Sequence, residues 1–404
     1  MTKAGTLGFS AARLARLDRF LKERYIETGR LAGAQLLIAR RGERIHQSVV
    51  GLADRERNTQ LADDTIFRIY SMTKPITSVA FMMLVEEGLV SLDDPVHRFI
   101  PAWRDLGVFV AGEGPFQTRR THQPMRMIDL LRHTSGLTYG FQMRTNVDAA
   151  YRKAKIGTIE ADLPLDEMIG LLAKTPLEFS PGEAWNYSVS TDVLGYLVGK
   201  ISGRSFEEFL KERILAPLEM TDTDFYVPPE KQARLAACYA LDEKGSVVLY
   251  DDPAKSRYRA PPAFVSGGGG LVGTAADYLK FCQMLLGGGA ANGHRFLSPR
   301  TIALMTMNHL PGGKELVELS RSLFSEAANA GVGFGLGFAV VIDRAKTMTA
   351  GNVGEYYWGG AASTAFWIDP KDELAVVFMT QFLPSTTYPI RPQLRTLVYA
   401  AMEE

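Results

Sequence analysis

Apolar residues at Leu14, Leu17, Phe20, Leu21 and Tyr25 recur at helical spacing with basic residues between them, which predicts an amphipathic helix over residues 11–27 lying on a core. Two short runs, 35–40 and 44–50, read as strands turned by Arg41-Gly42 and predict a hairpin. The next stretch, 67–89, reads FRIYSMTKPITSVAFMMLVEEGL, and its Val79, Ala80, Met83 and Leu84 share a helical face. Pro75 has no amide hydrogen and is tolerated only in a first turn, so this helix begins close to Ser71. From residue 93 to about 258 the pattern shifts to short helices punctuated by Pro and Gly, among them 127–132, 190–201 and 206–215. A glycine loop at 267 leads to helices over 275–286 and 299–307. Strands over 337–342, 362–368 and 374–380 follow, turned at Gly359-Gly360 and Asp369-Pro370, before a last helix over 390–402.

Strands at both chain ends with a helical insertion between them predict an α+β fold: one antiparallel sheet built from the two termini, faced by terminal helices, plus a mostly helical lobe. The expected division is residues 1–92 with 267–404 for the sheet domain and 93–266 for the helical one, with a cleft between them. Loops 109–124 and 312–332 are expected to line that cleft.

Composition narrows the function. Lys plus Arg and Asp plus Glu balance at 45 each over 404 residues, so there is no net field to hold nucleic acid or an anionic membrane surface. The longest apolar run, 79–85, is far short of a membrane span, and the first twenty residues hold no apolar stretch of signal-peptide length, which reads as cytoplasmic. Cys238 and Cys282 read as buried thiols. No pair among the six histidines has the spacing of a zinc helix, so neither metal nor cofactor is called for. The chain also lacks G-x-S-x-G, so an activated serine here needs a base other than the histidine of α/β-hydrolases.

Ser71 and Lys74 supply such a pair. At a helix start, Ser71 meets free backbone N–H groups and the positive end of the dipole, and Lys74 at i+3 shares its face. A capping serine and a solvated lysine would explain four residues equally well. Two further stretches weigh against that reading. Tyr187, in PGEAWNYSVSTDVLG, lies between a turn and a helix and can project from a loop; Trp358-Gly359-Gly360, in EYYWGGAASTAF, is expected to open a strand where two glycines admit a ligand or another backbone.

Ser71-Met72-Thr73-Lys74, then Tyr187-Ser188-Val189, then Trp358-Gly359-Gly360 resembles the three-motif order of class C β-lactamases and DD-peptidases, and more closely that of the family VIII carboxylesterases. The resemblance extends over nearly the whole chain, including HTSGL at 133–137 and GGGGL at 267–271. It implies a serine acyl-enzyme with Ser71 as nucleophile and Tyr187 and Lys74 as the proton-handling pair. Either needs its pKa lowered by about three units, roughly 4 kcal/mol, to act as a base near neutrality. A lysine cation about 4 Å from a tyrosinate at intermediate dielectric supplies a sum of that order. Tyr187 is expected to be the general base, with Lys74 holding it. The resemblance maps the oxyanion hole onto the amides of Ser71 and Ala361.

Trp358 stands where β-lactamases carry the Lys of K-T-G, and Val189 where they carry the Asn of Y-x-N. The expected substrate is therefore a small neutral ester with a short acyl chain, with weak activity on cephalosporin-like compounds at most. Trp358, Gly359 and Gly360, with Tyr139 or Phe141, are expected to bind it. An acyltransferase, an amide hydrolase of the β-lactamase or DD-peptidase type, and a noncatalytic binding protein are the alternatives. Gly268-Gly269-Gly270-Leu271-Val272-Gly273 satisfies G-x-G-x-x-G without a βαβ unit and is set aside as a nucleotide site. His133 is read as structural, and Trp185 as packing beneath Tyr187.

Overall fold

The computed structural model describes residues 3–159, 161–322 and 330–403. Its centre is an eight-stranded antiparallel sheet of β1 (Gly33–Arg40), β2 (Glu43–Asp54), β3 (Thr59–Gln60), β4 (Val332–Phe334), β5 (Ala339–Val341), β6 (Tyr356–Gly359), β7 (Ala365–Asp369) and β8 (Leu374–Met379), ordered β4-β5-β6-β7-β8-β1-β2-β3. The two ends of the chain do meet in one sheet. The join is β1 against β8, with Leu37 opposite Val377. Both strands are buried throughout, hence their unbroken apolar runs.

Helices α1 (Ala11–Leu21), α2 (Thr73–Glu86), α3 (Ser190–Ser202), α4 (Ala275–Leu286) and α5 (Ile390–Ala400) supply the cover. Neighbouring residues of a strand point to opposite faces. On β7, Trp367 meets Arg395 of α5 and Phe366 meets Tyr278 of α4, so these helices lie on opposite sides of the sheet. Helix α1 packs beside α5. Helix α2 is buried from Thr73 to Leu84 and packs against α3, which explains why its sequence is apolar nearly all round.

The hairpin closes as expected at Arg41 and Gly42, both left-handed with φ of 52° and 78°, a turn whose twist matches its strands. Several expectations are corrected. Trp358-Gly359-Gly360 closes strand β6, and β7 begins only at Ala365, after a turn in which the Gly360 amide donates to Thr364 O at 2.9 Å. The cause is a close approach: a Cβ on Gly360 would stand 2.4 Å from Ile69 O, so the chain has to bend there around the start of α2. The helix expected over 299–307 ends at Met305. The 312–332 segment read as loop holds a short helix, Leu316–Leu319, and ends at Val332, the first residue of β4, while its residues 323–329 lie outside the described ones. Segment 109–124 contributes to a small hairpin, Val108–Ala111 with Gln117–Arg119. The middle block is not purely helical, since Cys238–Leu241 and Val247–Asp251 form a second sheet with Phe382–Leu383. Among the described residues no helix is long and apolar enough to cross a membrane.

Candidate active site

A short 3₁₀ turn, Tyr70–Met72, runs directly into α2 and places Ser71 at the helix start. Tyr70 takes a φ of +44°, a left-handed setting that is uncommon for a bulky residue and marks strain held by its surroundings. One turn on, Lys74 is 2% exposed, and its Nζ lies 3.4 Å from Ser71 Oγ. The ammonium also donates to Gly268 O at 2.6 Å and to Tyr139 Oη at 3.1 Å. The glycine loop makes the first of these bonds possible. A Cβ on Gly268 would stand 2.7 Å from Asp192 Oδ2 and 2.8 Å from Tyr139 Oη, so only glycine lets this backbone reach the lysine.

Asp192, in the first turn of α3, anchors the cluster from below. It accepts from Ser266 Oγ at 2.5 Å, from the Gly268 amide at 2.9 Å and from Tyr139 Oη at 3.5 Å. Tyr187 sits between the two helices, hydrogen-bonded with Ser71 and accepting from Trp358 Nε1 at 3.4 Å. Lys74 Nζ lies over the face of the Tyr187 ring, 4.4 Å from its centroid, so the contact between them is cation to π-face.

Burial sorts the protonation states. It pushes the Lys74 amine down to about 7, with the Asp192 charge pulling the other way. It pushes the Tyr187 phenol up, partly offset by the hydrogen bonds from Ser71 and Trp358, and pushes Tyr139 well up. At pH 7 the amine is thus about half neutral, beside a phenol that burial keeps protonated, whereas the sequence led to Tyr187 as the base with Lys74 holding it. The neutral pair and the ion pair hold the same number of protons, and low dielectric favours the one without separated charge.

The remaining sequence-singled residues fall into distinct places. Trp358 is 2% exposed and packs on Tyr187 and Phe334 with ring centroids 5.4 Å away in each case. Tyr139 belongs to the lysine cluster, and Phe141 is 59% exposed and stacks on Tyr139 at 4.7 Å. Ala361 follows Gly360 in the turn pressed against Ile69, beside the start of α2, and packs near Tyr70. Trp185 stacks beside Tyr187 at 6.2 Å. His133 is buried, bonded through Nδ1 to Ser188 Oγ, and pushed well below its ordinary pKa by burial.

Sequence reasoning missed Asp192 and Arg391. Asp192 had a faint signal, an acidic residue in the first turn of the helix that follows Tyr187. Arg391 had none. From the start of α5 its Nη2 donates to Gly360 O at 2.7 Å and Thr364 O at 2.8 Å, and a Cβ on Gly359 would stand 2.6 Å from its Cζ. The second glycine-bearing position therefore makes room for an arginine that clamps the turn.

The Beta-lactamase family model matches residues 17–400. Protein Rv1367c of Mycobacterium tuberculosis is 37% identical over 364 residues, covering 89% of this chain and 88% of its own. Esterase EstB of Burkholderia gladioli is 32% identical over 412 residues, covering 96% and 95%. Among solved structures, EstCE1, described as a hydrolase with promiscuous acyltransferase activity, superposes with a TM-score of 0.81 at 27% identity, covering 96% of this chain and 99% of its own.

Proposed function

The chain belongs to the Beta-lactamase family and is a serine ester hydrolase of the family VIII carboxylesterase kind, and from that premise we propose that it cleaves small neutral esters through an acyl-enzyme on Ser71. Neutral Lys74 takes the Ser71 proton as Oγ attacks the ester carbonyl. The developing oxyanion is met by the amides of Ser71 and Ala361. On collapse the leaving alkoxide takes a proton from the Lys74 ammonium or the Tyr187 phenol, and water then releases the acid by the same steps in reverse order. The observation that carries this reading is a buried amine, titrating near 7, placed 3.4 Å from a serine hydroxyl that also bonds a phenol. Tyr139 and Asp192 hold that amine in place.

A fluorophosphonate probe with peptide mass mapping tests the nucleophile. Modification of Ser71, with loss of p-nitrophenyl butyrate hydrolysis in Ser71→Ala, is the expected result; a label on any other residue refutes it. Acyl transfer is the second reading, favoured by the likeness to EstCE1. An alcohol acceptor that diverts most of the acyl group into a new ester would establish it. A cytoplasmic setting is proposed on the strength of two cysteines that are both buried and free of any disulfide.

A further inference from the structure

The ring of Tyr70, the residue before Ser71, packs with Cys238 and Ala362, and Ile159, Ala361 and Leu383 close around it. Tyr70 therefore lies against the turn that carries the Ala361 amide. Beside it is a cleft of about 640 Å³ walled by Tyr70, Tyr250, Tyr258, Pro261 and Pro262, with the charged side chains of Asp162, Asp251 and Arg257 also lining it. A cleft of this size suits a drug-sized moiety and is far larger than a four-carbon acyl chain needs.

Its inner wall is fixed in advance. Tyr258 is buried, and the Arg68 guanidinium lies 5.5 Å from its ring centroid. Arg68 is in turn held by Asp251 at 2.6 Å, by Ala236 O at 2.5 Å and by Ser256 Oγ at 3.1 Å. The outer wall is looser, since Tyr250 is 55% exposed.

The two sides of Ser71 differ in kind. Tyr187 is surrounded by His133, Tyr139, Trp185 and Trp358. Tyr70 is surrounded by Cys238, Ile159, Ala362 and Leu383, none of which touches the Tyr187 group. A leaving alcohol must sit within proton-transfer reach of Lys74 or Tyr187, which puts it on the Tyr187 side. The acyl group then extends toward Tyr70.

We propose that the cleft beside Tyr70 is the acyl subsite and that it takes a ring-bearing acyl group, an arylalkanoyl ester, in addition to short straight chains. Aromatic and proline faces supply stacking for a flat ring, and the open rim leaves room for its substituents. The proposal rests on the acyl-enzyme reading of Ser71.

The test compares kcat/KM for p-nitrophenyl 4-phenylbutyrate and p-nitrophenyl acetate in the wild type and in Ala260→Trp, which places an indole on the exposed lip of the cleft. The phenylbutyrate to acetate ratio is expected to fall at least tenfold in Ala260→Trp. Tyr250→Ala, an exposed truncation that leaves the core alone, is expected to lower the same ratio about fivefold. A matched pair varied in the alcohol, phenyl acetate and 2-naphthyl acetate, should keep its ratio in both variants. An acyl ratio that neither variant moves, or a shift confined to the alcohol pair, overturns the proposal while leaving the Ser71 reading standing. Absence of acetate turnover in the wild type overturns both.

Discussion

Removing one buried charge should move the acid limb of the pH profile by nearly two units. Burial lowers the Lys74 pKa to about 7, and Asp192 is what keeps it from falling further. Tyr139 Oη bridges the two groups through contacts of 3.1 Å and 3.5 Å, which joined end to end place Lys74 Nζ and Asp192 Oδ2 no more than about 6.6 Å apart. Two unit charges at that distance and an effective dielectric near 20 interact by at least about 2.5 kcal/mol, or about 1.8 pKa units. Asp192→Asn keeps the shape and the oxygen that accepts from Ser266 and Gly268, removes the charge, and turns the Oδ2 acceptor facing Tyr139 Oη into an amide donor across that 3.5 Å contact.

The working form of Lys74 is the neutral amine, so activity is present above its pKa and lost as pH falls through it. In the wild type, kcat/KM for p-nitrophenyl butyrate should therefore fall below pH 7, reaching about one-tenth of its plateau at pH 6. In Asp192→Asn the limb should move down to about 5, so that about nine-tenths of the variant's own plateau remains at pH 6. Initial rates between pH 5 and 9, each normalised to its plateau, are the measurement. A limb that stays at 7, or moves upward, would show that Lys74 is not the group titrating or that Asp192 carries no charge there.

Tyr187→Phe keeps the ring packed on His133, Trp185 and Trp358 but removes the phenol, so kcat should drop about 10²- to 10⁴-fold while the melting temperature changes little. Arg391→Met releases Gly360 O and Thr364 O, and with them the turn that carries Ala361. Because full loss of an oxyanion donor costs about 2.7–4 kcal/mol, a loosened one should lower kcat about tenfold with KM nearly unchanged, and Arg391→Lys should recover part of it. Trp358→Lys, the substitution that restores a β-lactamase-like lysine, should destabilise the fold by about 3 kcal/mol or more in denaturant titration. It would put an unpaired cation at a site 2% exposed, beside Arg391, and nitrocefin hydrolysis should not rise.

The motif order could be read along the chain because each motif sits at a local boundary that local rules specify. Pro75 sets the start of the serine helix, Arg41-Gly42 sets a hairpin, and the apolar runs at the centres of β1 and β8 fit strands buried on both faces. The end of β6 was misplaced because a strand that stops at Gly360 does so for want of space against Ile69, a contact between distant segments. Phe141 and Tyr139, two positions apart, read alike in sequence, yet one is largely solvent-exposed and the other bonds the lysine.

The amino-acid sequence by itself determined which groups could do the chemistry, a hydroxyl, an amine and a phenol on separate elements, and that the two chain ends would share a sheet. Only the tertiary structure decided how protons are shared between the amine and the phenol, because that depends on how far each is withdrawn from water and on Asp192 and Gly268 brought in from other segments. A side chain's identity is local, whereas its protonation is set by everything packed around it.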